Sequence, residues 1–394
     1  MEAAGATIKT QIPARMDRLP WSRWHWLVLV GLGSVWILDG LEVTIVGAIG
    51  ARLQEEGALG LSASQVGVAG TFYVLGLCTG AIVFGHLTDR LGRKKLFIVT
   101  LAVYLAAVIA TAFAWSFLSF AIFRFFTGVG IGGEYAAINS AIDELIPARA
   151  RGWVDLAVNG SFWLGAALGA ALSGVLLDTS IFSIDLGWRI AFGLGALMAV
   201  VIMLVRRTLP ESPRWMMVHE RAEEAERLVD GIEEKVKRDT GRMRLPEPEG
   251  SITVQQREHT NLVTVGRTLF AKYPKRATLG FALMGTQAFL YTAVTFNYSG
   301  IMTGFFGVAE AKAGLYLIPF GIANFLGALL LGRLFDTVGR RPMIAGTYAG
   351  TGVLLAIAGA AFAADLVTSR QLTVLWCTVF FVASAAASSA SLTV

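Results

Sequence analysis

Four ionisable residues fall inside stretches of the chain that are otherwise apolar. Asp39 and Glu42 interrupt the first apolar stretch, and Arg124 and Glu134 interrupt a later one. A charged side chain in hydrocarbon costs free energy, so such residues usually face a partner or a water-filled cavity. Burial and a neighbouring arginine change the proton affinity of a carboxyl group in opposite directions. These four residues are therefore candidates for reversible proton binding.

The spacing of the two acids suggests how they would work. Asp39 and Glu42 are three residues apart, which places both carboxylates on one face of a helix. By count from Trp24, Asp39 lies near the middle of a membrane, the depth at which secondary transporters bind their substrates. An ion pair between Glu42 and Arg124 that forms in one state and breaks in the other would couple proton binding to substrate movement. The alternative is that these charges only hold helices together, and for Glu134 both a structural and a substrate-facing role stay open.

The elements that must hold these residues are membrane-spanning helices. Of the 394 residues, 55% are hydrophobic and 15% are charged, whereas a soluble domain has roughly 25% charged residues. The apolar residues form blocks of about 20–25, enough to cross a hydrocarbon core of roughly 30 Å. The pattern predicts an all-α polytopic membrane protein. Ten spans are predicted, at Trp24–Gly50, Ser64–Leu87, Leu96–Trp115, Phe117–Ser140, Val154–Leu177, Leu186–Val205, Ala277–Met302, Ala313–Phe335, Met343–Ala364 and Leu372–Val394.

The basic residues predict the orientation of these spans. The N-terminal tail and the loops at Arg90–Lys95, Arg149–Arg151 and Arg333–Arg341 are rich in Lys and Arg, and they all fall on one side of the membrane. Cytoplasmic loops carry such an excess. We therefore expect a multi-pass protein of the cell (inner) membrane with a cytoplasmic N-terminus. Because the net charge of +5 resides in these loops, no nucleic-acid partner is expected.

No enzymatic chemistry is indicated. The sequence has no phosphate-binding loop and no metal-ligand spacing, and its four histidines are scattered. We expect neither a metal nor a cofactor. Cys78 and Cys377 both lie in apolar segments, so a disulfide framework is not indicated.

A long polar stretch divides the chain. Residues 1–205 form a six-helix half, 206–276 a cytoplasmic central loop, and 277–394 a second half that ends after four helices. Within the loop, Pro213–Arg238 has mixed charges and predicts one or two short amphipathic helices. Arg242–His259 contains two prolines and no apolar period, and it predicts a flexible linker.

One loop occurs twice, once in each half. Gly85–Lys95 follows the second span and Gly332–Arg341 follows the eighth, and both fit the pattern G-x-L-x-D-x-x-G-R-[KR]. Internal repetition at equivalent places is typical of transporter halves. The loop resembles the signature of the major facilitator superfamily, in which the acid and the bases form a cytoplasmic gate.

Further motifs resemble those of the sugar porters within that superfamily. They are R-x-x-x-G at Arg124–Gly128, E-x-x-P-x-x-x-R-G at Glu144–Gly152, and P-E-S-P-R at Pro210–Arg214. Metabolite–proton and aromatic-acid–proton symporters share several of them, and the latter have a D-G-x-D motif that matches Asp39–Glu42 with Glu in place of the second Asp. The resemblance implies a cytoplasmic gate formed by Gly85, Asp89, Arg90, Gly92, Arg93, Glu144, Arg151, Asp336, Gly339 and Arg340.

The seventh span has a polar stripe that could bind substrate. It consists of Gln287, Tyr291, Thr292, Asn297 and Tyr298. Sugar porters have a Q-Q-x-x-G-x-N pattern here, of which this chain keeps one Gln. A sugar site needs dense hydrogen bonding, because an unpaired buried polar group costs roughly 1–3 kcal/mol. The loss favours an organic or aromatic acid over a sugar, although isolated polar residues also serve in helix packing.

These observations together predict secondary active transport of a small organic metabolite by alternating access, with proton symport. The expected partners are the substrate, protons and the lipid bilayer, and a monomer is expected. The superfamily has twelve spans and this chain supplies about ten, so a truncated second half is predicted. Passive facilitation or export, and a non-transporting sensor or remnant, remain as alternatives.

Overall fold

The computed structural model describes residues 7–207, 209–255, 262–308 and 314–389. The first half starts with a short strand and a short helix, followed by six long helices. These elements are β1 (Thr7–Thr10), α1 (Ile12–Asp17), α2 (Arg23–Ile49), α3 (Ala63–Leu91), α4 (Arg93–Ala112), α5 (Phe117–Leu145), α6 (Arg151–Leu176) and α7 (Ile184–Arg206).

The second part contains shorter elements and then four long helices. These are α8 (Pro213–Val218), α9 (Ala222–Thr240), β2 (Ile252–Gln255), α10 (Leu262–Lys272), α11 (Pro274–Gly304), α12 (Leu317–Thr337), α13 (Arg340–Ala363) and α14 (Ser369–Ser389). Each of the ten predicted spans coincides with one long helix, so the helical membrane class is confirmed. Within the described ranges, eight long helices are apolar and long enough to cross a membrane, and α11 and α14 are not among those eight.

Close helix packing sets the position of the acids on α2. A Cβ atom on Gly40 would lie 1.9 Å from the carbonyl oxygen of Phe162, and one on Gly165 would lie 1.9 Å from that of Ile37. No side chain fits at either place, so α2 and α6 touch backbone to backbone. Small residues allow this approach in membrane helices. Because Gly40 lies between Asp39 and Glu42, the contact holds both acids in place.

The two halves meet along α6 and α12. The side chain of Ala328 lies against Gly160, where an added Cβ would be 2.4 Å from it. The main apolar core lies in the first half, and a smaller cluster in the second half contains Tyr298, Met302, Phe320 and Leu372.

The central loop is more ordered than the sequence suggested. The predicted amphipathic helices are present as α8 and α9. The predicted flexible linker is wrong for residues 252–255, which form β2 and pair antiparallel with β1, with Thr7 opposite Gln255 and Thr10 opposite Ile252. Residues 256–259 lie outside the described ranges. The strand forms because β-branched residues in the loop meet a matching segment of the N-terminal tail, a partner far away in the sequence.

Candidate functional site

A buried cluster of charged and phenolic groups lies in the first half, between α2, α3 and α5. Arg124 donates a hydrogen bond from Nη1 to Oε1 of Glu42, and these side chains are 2% and 3% exposed. Asp39 accepts a hydrogen bond from the hydroxyl of Tyr73 at 2.9 Å and another from that of Tyr135. The guanidinium of Arg124 lies 4.4 Å from the ring centroid of Tyr73. The predicted ion pair between Glu42 and Arg124 is therefore present, and the two tyrosines that bind Asp39 were missed by sequence reasoning.

The charge of this cluster is not balanced. Two carboxylates face one guanidinium, so the ionised cluster carries one net negative charge. Among the described residues, no cation lies within ion-pair distance of Asp39. A charge in a low-dielectric interior is costly. Binding a single proton would make the cluster neutral, which is the chemistry a proton-coupled site requires.

Glu134 belongs to a separate ion pair. It lies ten residues after Arg124 on α5, about 15 Å along the helix. Its carboxylate accepts hydrogen bonds from Nη1 of Arg206 and from the hydroxyl of Thr100. The guanidinium of Arg206 also lies 4.2 Å from the ring centroid of Phe97. The structure thus brings Asp39, Glu42 and Arg124 together. It places Glu134 in a second, buried ion pair with Arg206, the last residue of α7.

An aromatic cluster joins the two halves. Tyr291 of α11 stacks on Trp163 of α6 with ring centroids 5.0 Å apart, and Phe380 of α14 lies 5.1 Å from Tyr291. The Tyr291 hydroxyl donates a hydrogen bond to Oδ1 of Asn324 at 2.7 Å. Asn324 is fully buried on α12. The inter-half interface therefore offers flat apolar rings beside one neutral hydroxyl–amide pair.

The other members of the predicted polar stripe have different surroundings. Tyr298 is buried inside the second half, with its hydroxyl 2.7 Å from Oγ1 of Thr373 and its ring 4.5 Å from that of Phe320. Gln287 is half-buried. The side chains of Thr292 and Asn297 lie outside the part of the chain that the structure describes. Of the described members of the stripe, Tyr291 is the one placed against the first half. Trp163 and Phe380 were missed because they are ordinary aromatic residues of apolar spans, whereas the polar Asn324 in an apolar span was a signal that the prediction did not use.

Residues of three sequence motifs meet at one end of the first half. Nη1 of Arg93 pairs with Oε1 of Glu144 at 2.6 Å, and the Ser212 hydroxyl donates a hydrogen bond to the same carboxylate. The repeated loop, the loop after α5 and the P-E-S-P-R segment are therefore linked. Arg90 is exposed and Gly85 is half-buried, and the side chain of Asp89 is not among those the structure describes.

Glu211 of the P-E-S-P-R segment caps the start of α4. Its Oε1 accepts the backbone N–H groups of Arg93 at 2.8 Å and Lys94 at 3.2 Å. A carboxylate is favourable at a helix N-terminus, where N–H groups are free and the dipole is positive. Gly92 makes this contact possible because its φ is +87° and a Cβ there would lie 2.6 Å from Oε2 of Glu211.

The second copy of the loop makes a contact between the halves. Asp336 accepts the backbone N–H groups of Gly152 at 3.1 Å and Trp153 at 2.9 Å, which are the first turn of α6. The Trp153 indole N–H donates to the carbonyl oxygen of Leu329 on α12 at 3.2 Å. Gly339 ends the loop with a φ of +105°, and Arg340 begins α13. This contact joins the C-terminal end of α12 in the second half to the start of α6 in the first half.

The N-terminal segment is bound to the same end of the first half. Arg15 pairs with Glu226 and Asp230 of α9 at 2.6 Å each, and both Arg15 and Arg18 bond to Glu233. Burial alone would raise the pKa of Glu233, but hydrogen bonds from the two arginines outweigh it and hold the pKa below its ordinary value.

The same segment also reaches the start of α6. Arg151, which the sequence motifs predict to belong to the gate, pairs with Asp17 at 2.7 Å. Asp17 in addition accepts the backbone N–H of Ala148 at 2.8 Å. The N-terminal segment therefore links α9 to the loop before α6.

Comparison with known proteins agrees with this architecture. The family described as Sugar (and other) transporter matches residues 43–393. The niacin transporter NiaP of Acinetobacter baylyi is 28% identical over 340 residues, which cover 84% of this chain and 72% of that protein. The 4-hydroxybenzoate transporter PcaK of the same organism is 25% identical over 361 residues, 90% of this chain and 75% of that protein.

A solved structure shows the same fold. The proton:xylose symporter XylE bound to 6-bromo-6-deoxy-D-glucose superimposes with a TM-score of 0.73 at 20% identity, covering 94% of this chain and 81% of XylE. At this identity the likeness concerns the fold alone. From the family match over residues 43–393, the repeated loop pattern and the helical architecture, the chain belongs to the Sugar (and other) transporter family, whose members are multi-pass membrane transporters of the major facilitator superfamily.

Proposed function

We propose that this chain imports a small organic acid across the inner membrane by proton symport, working as a monomer with its N-terminus in the cytoplasm. The observation that carries the proposal is the buried cluster of Asp39, Glu42 and Arg124. It holds one negative charge more than it can neutralise internally. A proton is the smallest partner that corrects this imbalance, and protonation changes which hydrogen bonds the cluster can make.

The coupling step follows from the bonds of the cluster. When Glu42 takes up a proton, its attraction to Arg124 weakens and the neutral carboxyl group can turn away. The guanidinium, which has the rings of Tyr73 and Phe192 close to it, can then donate hydrogen bonds to the carboxylate of an incoming substrate. When the site opens to the cytoplasm, substrate leaves, Glu42 releases its proton and the ion pair re-forms.

The substrate class is inferred from the interface between the halves. Flat aromatic rings at Trp163, Tyr291 and Phe380 favour a planar partner, because offset stacking adds roughly 0.5–1.5 kcal/mol per aromatic pair. Two relatives carry the names of niacin and 4-hydroxybenzoate transporters, and both compounds are planar aromatic acids. These relatives support an aromatic carboxylate as the substrate.

Transport in proteoliposomes tests the proposal. Labelled niacin, 4-hydroxybenzoate and xylose would be supplied with and without an inward proton gradient. We expect the gradient to drive accumulation of an aromatic acid. Glu42→Gln is expected to keep exchange of labelled for unlabelled substrate while losing accumulation. Glu55→Gln removes a half-exposed carboxylate just after the same helix and is the matched control.

Two results would contradict the proposal. Accumulation at the normal level in the Glu42→Gln protein would remove Glu42 from the coupling mechanism. Uptake by the unchanged protein that only equilibrates, whatever the gradient, would indicate passive facilitation.

A further inference from the structure

Helix α10 lies directly before the predicted span α11 and presents apolar side chains outward. Tyr273 alone separates the two helices. Phe270 on α10 is 71% exposed, and Tyr273 between the two helices is 43% exposed. On α11, Phe281 and Phe289 are also largely exposed, as expected for a helix that faces lipid. Exposed aromatic rings are therefore present on both helices of this segment.

The charged residues of the same segment are all basic. Arg267, Lys272, Lys275 and Arg276 are all exposed, and no Asp or Glu occurs in the sequence between Glu258 and Glu310. In the described part of the chain, the ion pairs within 4 Å include none of these four cations.

Tyr273 lies between two of these cations. Lys272 Nζ is 5.6 Å and the Arg276 guanidinium 5.5 Å from the ring centroid of Tyr273. Tyrosine and basic residues with apolar stems are typical of the headgroup layer, where a ring or an alkyl chain lies in the apolar region and the polar end stays in water.

From this geometry we infer that α10 and the start of α11 form a binding surface for anionic phospholipid headgroups. Phe270 enters the acyl boundary, and Arg267, Lys272, Lys275 and Arg276 contact lipid phosphates. An amphipathic helix with cations beside its apolar face binds a membrane surface by burying apolar area and by electrostatic attraction to anionic lipids. A membrane surface is the partner that fits this segment. Only Tyr273 separates α10 from the predicted span α11, so α11 keeps α10 close to the bilayer.

The number of cations sets the expected preference of this segment for anionic lipid. Each Lys or Arg close to an anionic surface strengthens binding roughly fivefold. Neutralising two of the four cations should therefore lower the local preference for anionic lipid roughly 25-fold, and Lys-for-Arg exchange should leave it nearly unchanged. This inference depends on where α10 lies and not on the transported substrate.

Lipid-specific quenching in nanodiscs tests the surface on the full chain. Cys78 and Cys377 would be replaced by serine, and the fluorophore NBD attached at a Phe270→Cys site. Nitroxide-labelled phosphatidylglycerol and nitroxide-labelled phosphatidylcholine would then be compared at equal mole fraction. We expect stronger quenching by the anionic lipid, and loss of that difference when Arg267 and Lys272 are both changed to Gln.

Controls separate this effect from a general change of the protein. Lys235→Gln with Arg238→Gln removes two exposed charges from α9 and should leave the difference intact, as should Arg267→Lys with Lys272→Arg. Elution as a single species checks that each variant is folded. Equal quenching by both lipids in the unchanged background would overturn the anionic preference, and no quenching by either would show that α10 is away from the membrane.

Discussion

The polar cluster of the first half and that of the second half are built from different chemistry. In the first half, Glu42 and Arg124 form a buried ion pair beside Asp39. In the second half, Tyr291 and Asn324 form a neutral hydroxyl–amide pair among aromatic rings. A buried charge must have a partner or lose its charge, whereas a neutral pair needs only a hydrogen bond. The difference suggests that the first half responds to protons and the second half selects the substrate.

A second contrast concerns the two copies of the gate loop, which share one sequence pattern. The loop of the second half uses Asp336 to cap α6 across the interface. In the first half, α4 is capped by Glu211 from the segment after α7. Segments that share one sequence pattern therefore make different contacts, because the elements packed against them differ.

The largest expected effect comes from removing one member of the charged pair. Arg124→Gln leaves Glu42 buried without its cation, and breaking a buried pair in this way costs about 3–5 kcal/mol. We expect a large fall in the thermal unfolding temperature and loss of uptake. The double variant Glu42→Gln with Arg124→Gln should recover most of the stability but no proton-driven accumulation. Recovered accumulation in the double variant would contradict the division of roles between the halves.

The second ion pair tests whether every buried charge of the first half takes part in coupling. Glu134→Gln leaves Arg206 without its carboxylate, and we expect a loss of about 3 kcal/mol in stability. Glu134→Gln with Arg206→Gln should restore much of that loss while accumulation still follows the proton gradient. If the double variant is stable but accumulates nothing, Glu134 belongs to the coupling machinery together with Glu42.

A smaller and different effect is expected in the second half. Tyr291→Phe keeps the ring and leaves Oδ1 of Asn324 without its donor, at a cost of about 1–3 kcal/mol. We expect a higher KM for the substrate and an unchanged pH profile of uptake. Tyr298→Phe removes a hydroxyl inside the second half and should change stability more than KM. A shifted pH profile in Tyr291→Phe would link the second half to proton binding.

The smallest effect is expected outside both halves, at the N-terminal segment. The pKa of Glu233 is lowered, so its stabilising contribution is present above its ordinary pKa and lost as pH falls through the lowered value. The protection of residues 7–18 against amide exchange, measured relative to the intrinsic exchange rate at each pH, should therefore fall at acid pH. Glu233→Gln should give fast exchange already at neutral pH, with a loss of about 1–2 kcal/mol. Exchange that stays slow in this variant would show that Arg15 and Arg18 hold the segment through other groups.

Local sequence was sufficient for part of the site. Apolar length alone located the ten long helices, because the thickness of the bilayer imposes it. The pair between Glu42 and Arg124 was also predictable, since an isolated cation in hydrocarbon needs an anion. The contacts of Tyr73 and Tyr135 with Asp39 were not predictable, because the sequence does not show which neighbouring helix a tyrosine in an apolar helix faces.

The amino-acid sequence by itself determined the class of the protein, the number and place of its long helices, the repeated gate loop and the residues whose charges need partners. These properties depend on composition and short-range spacing. Only the tertiary structure decided that Glu134 pairs with Arg206, that Trp163 meets Tyr291, and that the loop at residues 252–255 pairs with the N-terminal tail. Such contacts join residues that are far apart in the chain, and helix packing rather than local preference selects them.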